Sequence, residues 1–402
     1  MKKYGVITLA LVGALALSSS FAQSLKVIKV ATLSPLSGPQ SALGEAIRNG
    51  AELALSEQKA AFAKLGFDLQ LAPQDDQATP DVGTAAARRI ASDKGILAVV
   101  GTLNSGVAIP ASAVLKDDNV AMVSPANTAN AATDRGLPNY NRIVARDDAQ
   151  GPAGANFMIK TLKTKKAYVI NDKTAYGAGL AAEVVKYLKA KNVQVVGDEG
   201  TEEKSNFQPL IIKIKALNPD TIYFGGIYDQ IGVFLKQLRA AGVNTPVMGG
   251  DGLDDQQTIT IGGDGAKNTY FTTVAAPGSE FPKAAAMLAA YKVKYGKDAA
   301  GFSVTGYDAM NVVLAGIKKA AGMSKEVPSR VMVQDAIRKI SYTGLSGGIK
   351  FNSLGDRVSG QLFVVQVTDD LKFKVNGTVR TKAPKLKLEH SSNGASMRRF
   401  CF

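Results

Sequence analysis

The sequence predicts an α/β protein built as two doubly wound, parallel-sheet lobes. Three observations carry that expectation. Short β-rich runs alternate with longer helical patterns, the alternation restarts midway, and 402 residues suffice for about two to three domains.

Val27 to Leu33 reads as the opening strand and Ser41 to Phe62 as a helix rich in Ala, Leu and Glu. Phe67 to Leu71 is a strand, Asp81 to Ser92 a helix, and Ile96 to Gly101 an unbroken apolar run of the buried parallel type. Val107 to Leu115 is helical and Val120 to Ser124 extended. The pattern then begins again with a helix over Gly154 to Leu162 and a strand over Ala167 to Asn171. Helices over 179–190, 207–217 and 230–241 alternate with strands over 193–196, 221–225, 246–249 and 269–274. Three further helical patterns follow, over 281–295, 305–321 and 331–340, before a strand-like stretch from Gly348 to Val375. In open sheets of this kind ligands sit beyond the carboxyl ends of the strands, so two facing lobes make a cleft.

The first 22 residues do not fit this pattern. Lys2 and Lys3 precede an apolar run from Ile7 to Leu17, and Ser20 and Ala22 place small residues at −3 and −1 of a cut after Ala22. That is the layout of a secretory signal peptide, too short for a membrane-spanning helix, so a periplasmic or secreted protein is expected. No cysteine near the cut offers a lipid attachment point. At the other end, Lys385 to Phe402 has no periodicity and contains Leu-Glu-His; it reads as an unstructured tail of appended or read-through sequence.

Composition narrows the chemistry. Cys401 is the only cysteine and His390 the only histidine, so no internal disulfide and no zinc site are expected, nor a His-based triad away from the tail. The formal charge of +14 comes from lysines spread along helix faces, without an aromatic-rich basic stripe, which favours a solvated surface over nucleic-acid binding. P-loop and HExxH patterns are missing. Gly177-x-Gly179-x-x-Ala182, with Asp198 about twenty residues on, resembles a dinucleotide fingerprint. Its first Gly, however, stands five residues past the strand end rather than at the strand–helix turn.

Two segments after adjacent strands, Thr102 to Gly106 and Ser124 to Thr128, are either plain helix caps or seats for one carboxylate. Asp251, between glycines after the strand over 246–249, is either a turn residue or the partner of a ligand ammonium.

Taken with the segments Leu36-Ser37-Gly38-Pro39, Arg142 to Gly151, Asp172 to Gly179, Gly225-Gly226 and Phe302 to Tyr307, these stretches resemble the leucine/isoleucine/valine-binding proteins of bacterial ABC transporters, over roughly residues 25 to 380. The resemblance implies the type I periplasmic-binding fold. Lobe 1 would be 25–145 with 275–353, and lobe 2 would be 146–274 with 354–380. A three-strand hinge would cross near Ala145, Val274 and Leu354. It implies that Ser105, Thr128 and the Ala126 backbone hold a ligand carboxylate and that Asp251 holds its ammonium. Tyr176 would close over the ligand, and Phe302, Leu43, Ile227 and Tyr228 would surround its side chain. A disulfide known in the family maps to Ala78 and Asn104, so both partners are missing together. The expected function is capture of a neutral, branched-chain amino acid by hinge closure and delivery to an ABC permease. The protein is then a monomer with no cofactor, no enzyme activity and no membrane contact except through the permease. The rival classes are a ligand-sensing module, which would need a signalling domain, and a nucleotide-dependent enzyme.

Overall fold

The computed structural model describes residues 25–275, 277–322, 326–389 and 397–401, the last stretch from 385 by its backbone alone. The expected signal peptide lies outside the described residues.

The first half forms β1 (Lys26–Ser34), α1 (Ser41–Lys64), β2 (Phe67–Asp75), α2 (Pro80–Ser92), β3 (Ile96–Gly101), α3 (Ser105–Asp117), β4 (Ala121–Ser124), α4 (Ala131–Asp134) and β5 (Tyr140–Arg142). Its sheet has the order β2-β1-β3-β4-β5, and every pairing is parallel. Each residue of β3 is buried, because helices cover both faces of the sheet. One face packs Ala31, Leu33 and Val99 against Ala86, Ile90, Ala108 and Leu115 of α2 and α3.

The second half forms α5 (Asp147–Lys160), β6 (Lys166–Asn171), α6 (Ala175–Ala190), β7 (Gln194–Gly200), α7 (Gln208–Leu217), β8 (Thr221–Gly225), α8 (Tyr228–Ala240), β9 (Val247–Gly249), α9 (Gln257–Gly262) and β10 (Thr269–Thr273). The chain then returns to the first sheet through α10 (Ala285–Tyr295), α11 (Gly301–Ala321), α12 (Arg330–Arg338) and the hairpin β11 (Ser341–Gly344) and β12 (Gly347–Lys350). It ends on the second sheet with β13 (Ser359–Val367) and β14 (Phe373–Lys382).

The predicted class stands, with differences. The second sheet is mixed: β7-β6-β8-β9-β10 is parallel, but β13 and β14 add antiparallel at the β10 edge. A strand arriving from the other lobe and turning back through a short loop can join only as a hairpin. The helix expected from Phe281 starts at Ala285, after two 3-10 turns, the second opened by Pro282. The helix expected from Thr305 starts at Gly301, which puts Phe302 in its first turn. The tail is not without structure. Backbone 385–389 pairs antiparallel with 397–401 as β15 (Lys385–Glu389) and β16 (Met397–Cys401), a register that the missing side-chain periodicity did not announce.

Three segments connect the lobes: 143–146, 274–284 and 351–358. A buried ion network staples the first to the third. Arg142 Nε donates to Asp356 Oδ1 at 2.8 Å, and Arg146 Nη1 reaches Asp356 Oδ2 at 3.4 Å and Asp134 at 2.8 Å. Thr133 donates its hydroxyl hydrogen to Asp356 at 2.7 Å and also touches Arg142. Burial opposes the Asp356 charge, but the two guanidinium groups hold its carboxyl below the usual carboxylate range.

Candidate functional site

The carboxyl ends of both sheets face one another, and the loops leaving them enclose a cavity. Its wall is Leu43, Leu103, Asn104, Ala126, Tyr176, Ile227, Asp251, Gly252 and Phe302, around a cavity of about 20 Å3. That is far below the ~300–1,000 Å3 typical of small-molecule sites, so these loops must part to admit a ligand. Leu43 comes from α1, Leu103 and Asn104 from the turn after β3, and Ala126 from the turn after β4. The second sheet supplies Tyr176 from the start of α6, Ile227 from the start of α8, and Asp251 with Gly252 from the loop after β9.

Asp251 is the only carboxylate on this wall. Gln150 Nε2 donates to its Oδ1 at 2.6 Å and the Tyr176 hydroxyl donates to the same oxygen at 3.2 Å, while Gly252 N–H donates to Tyr176 Oη at 3.0 Å. Its Oδ2 takes no part in these bonds. Burial pushes the Asp251 carboxyl up to about 6, against the pull of the two donors. Gly252 is required here by close approach, since a Cβ would lie 2.3 Å from the Gly226 carbonyl oxygen. The remaining side chains are aliphatic or aromatic apart from the Asn104 amide. The cavity therefore suits a ligand with one cationic centre and an apolar body.

Of the residues expected from sequence, Leu43, Ala126, Tyr176, Ile227, Asp251 and Phe302 meet at this cavity. Three do not. Ser105 and Thr128 stand one and two residues from the wall, with their hydroxyls turned into the lobe. Ser105 Oγ accepts from Ala129 N–H at 3.3 Å, and the Thr128 hydroxyl faces Asp147. Ser105 thereby ties together the two loops that carry Asn104 and Ala126, a task shared by Asn127, whose Nδ2 donates to the Leu103 carbonyl at 2.8 Å. Ala126 N–H is itself directed to Ser124 Oγ at 3.3 Å. Tyr228 is the third. It opens α8 directly after the extended N-cap residue Ile227 and turns to the opposite lobe. There its hydroxyl donates to the Pro39 carbonyl at 2.8 Å.

Tyr228 belongs to a set of contacts across the mouth of the cleft. Asn104 Nδ2 donates to Gln40 Oε1 at 2.8 Å, and Gln40 Nε2 donates to Asp229 Oδ1 at 3.3 Å. Asn130 Nδ2 donates to Glu183 Oε1 at 3.1 Å. Tyr228→Phe should therefore weaken ligand binding about fivefold, the equivalent of one hydrogen bond of about 1 kcal/mol, with the isolated fold unchanged. Calorimetry on the variant checks this, and an unchanged Kd would show that the contact adds nothing to closure.

The glycine-rich stretch at α6 has a packing explanation. A Cβ at Gly177 would lie 2.4 Å from the Gly225 carbonyl oxygen and 2.2 Å from Asp172 Oδ1, so Gly177 lets α6 approach the end of β8. Thr174 caps the helix by accepting from Gly177 N–H at 3.0 Å.

Residues 27–372 match the sequence profile of the family described as periplasmic binding protein. The chain belongs to the periplasmic binding protein family. This binding protein is 37% identical over 324 residues to the Leu/Ile/Val-binding protein BraC3 of Rhizobium johnstonii, covering 78% of this chain and 87% of that one. It is 30% identical over 339 residues to the leucine-, isoleucine-, valine-, threonine- and alanine-binding protein of Pseudomonas aeruginosa, covering 84% and 89%. Among solved structures it resembles the leucine-binding protein LivK of Thermotoga maritima, with a TM-score of 0.80, 28% identity, and coverage of 88% of this chain and 98% of that one. It also resembles LivJ of Streptococcus pneumoniae, solved in complex with isoleucine, with a TM-score of 0.78, 25% identity and coverage of 89% and 100%.

Sequence reasoning missed Leu103, Gly252 and Gln150. Gln150 left no sequence signal of its own, because its partner Asp251 is 101 residues away.

Proposed function

We propose that this binding protein captures a neutral, branched-chain amino acid outside the cytoplasm and delivers it to the permease of an ABC transporter. The observation that carries the reading is the apolar cavity closed between the lobes, with Asp251 as the single carboxylate on its wall. A zwitterion is held at two ends. Its ammonium meets the Asp251 carboxylate, and its carboxylate meets the start of α3, where the first turn of a helix offers N–H groups without intrahelical partners. Leu43, Leu103, Ile227 and Phe302 then enclose an aliphatic side chain. The names of the relatives support the ligand class, and the signal-like segment 1–22 supports export.

The first lobe supplies a preformed floor, and the second brings Tyr176, Ile227 and Asp251 down on the ligand as the hinge closes. Exclusion of water strengthens the contact between ammonium and carboxylate. The wall offers hydrogen bonds and apolar surface, which supports a site that binds. The protein acts as a monomer without cofactor.

Calorimetry and thermal shift with leucine, isoleucine and valine test the reading. At a ligand concentration 100 times Kd, stabilisation of about 2.7 kcal/mol should raise Tm by roughly 3–4 °C. No heat and no shift with any of the three would sink it.

A further inference from the structure

A second cavity lies beside the one described above. It holds about 450 Å3, within the range typical of small-molecule sites, against about 20 Å3 for its neighbour. Three elements serve both. α1 gives Ala42 and Ala46 to this cavity and Leu43 to the other, and α11 gives Gly301 here and Phe302 there. The loop after β9 gives Asp254 and Asp255 here, Asp251 and Gly252 there. Pro277, on the crossing segment 274–284, closes one side. Both lobes and a connecting segment therefore frame this space, and an occupant touches all three.

The wall is acidic where it is buried. Asp254 is 3% exposed and Asp255 8%. Asp254 Oδ2 accepts from the Thr273 hydroxyl at 2.6 Å, and Asp255 Oδ1 accepts from Gln257 N–H at 2.9 Å. Among the described residues no cation stands within ion-pair distance of Asp255. Lys297 is the only cation among the described residues of the wall, and its ammonium is bonded to Glu45 at 3.0 Å. The third acid, Asp298, is exposed and pairs with Lys292 at 3.0 Å. Burial pushes the Asp255 carboxyl up, against the pull of Gln257 N–H and of Lys297. A buried carboxylate of this kind is stabilised by any cation brought into contact with it. The facing surface is apolar, from Ala42, Ala46, Pro277 and Phe373.

We propose that this cavity is a second ligand site, for a primary alkylammonium ion, with the ammonium at Asp255 and Asp254 and the alkyl chain against Ala42, Ala46, Pro277 and Phe373. A bare metal ion leaves the apolar surface unused. An amino acid fits less well, because its carboxylate meets three acids and one lysine that is already engaged. The two neighbouring cavities thus differ in what they ask of a ligand, the larger one a positive charge alone. The proposal does not depend on the amino-acid reading of the smaller one.

Calorimetry with n-butylammonium chloride on the full chain at pH 7 should show one site with a Kd of roughly 1 mM, the strength open to so small a ligand. Butyrate and 1-butanol should bind at least ~10-fold more weakly, since neither brings a positive charge. Asp255→Asn keeps the size of the side chain and should weaken butylammonium by about 10-fold. Ala42→Leu fills the space from the other lobe and should weaken it to a similar degree. Asp251→Ala should leave it unchanged. No heat with butylammonium, equal binding of 1-butanol or butyrate, or full binding by both Asp255→Asn and Ala42→Leu would overturn the proposal. Loss in Asp251→Ala but not in Asp255→Asn would place the amine in the smaller cavity and overturn it as well. Leucine is absent from every arm, so a failure here and a failure of the amino-acid reading are separate results.

Discussion

Asp251→Ala should lower affinity for leucine by at least ~100-fold. The residue is 5% exposed, and it lines a cavity with no other carboxylate on its wall. Truncating one partner of a buried, hydrogen-bonded charge pair costs about 2–5 kcal/mol, and about 3 kcal/mol corresponds to this loss. Most of the cost is the ammonium left in a dry site. A deaminated analogue of leucine carries no such charge, so its weak binding should be unaffected or improved. Calorimetry with both ligands on both proteins gives the comparison. Equal losses for the two ligands would show that Asp251 shapes the cavity rather than reading the ammonium. The apo fold should not suffer, because the substitution removes a carboxylate whose burial already works against its charge.

The largest effect on stability is expected at Asp356. Asp356→Ala strands Arg142, fully buried, and Arg146, 3% exposed, without the carboxylate between them. Removing one partner of a buried ion network typically costs about 3–5 kcal/mol. For a chain of this size that corresponds to a Tm loss of about 4–6 °C. Because the Asp356 carboxyl is held below its usual range, its contribution is present above the unfolded-state value near ~3.9 and is lost only as pH falls through the folded value. The Tm difference between the variant and wild type should therefore be constant from pH 6 to 8. A change of less than 2 °C would mean that the guanidinium groups find other partners.

The comparison of sequence with structure shows which physical signals are local. The buried run Ile96 to Gly101 and the amphipathic helix over 230–240 depend on near neighbours, and both were legible. The loops after strands were also legible as site-bearing, because the carboxyl end of a parallel strand is where such loops converge. Asp251 could be read as a turn residue or a ligand contact, and only its burial against Gln150 and Tyr176 separates the two. The burial of Asp147, 1% exposed at the start of α5, was invisible for a related reason. An acid in the first turn of a helix is ordinarily an exposed complement to the helix dipole. Here it packs against α6, where a Cβ on Gly179 would lie 3.3 Å from Asp147 Oδ2, and no local pattern records that packing. Tyr228 failed by one position, since an aromatic beside a helix start gives no sign of which way it turns. The antiparallel edge of the second sheet was hidden because it depends on a chain crossing between lobes twice.

The contacts at the cleft mouth have a mechanical consequence. Tyr228 to Pro39, Gln40 to Asp229 and Asn130 to Glu183 are hydrogen bonds at the rim of the molecule. Each nets about 0.5–1.5 kcal/mol, because water substitutes for either member when the jaws part. Together they amount to a few kcal/mol, which leaves an open arrangement within reach of the microsecond-to-millisecond hinge motions of two-lobed proteins. The trap is thus spring-loaded only lightly. Its cargo decides how long it stays shut, and a docking partner that competes for the rim groups can unload it without touching the cargo.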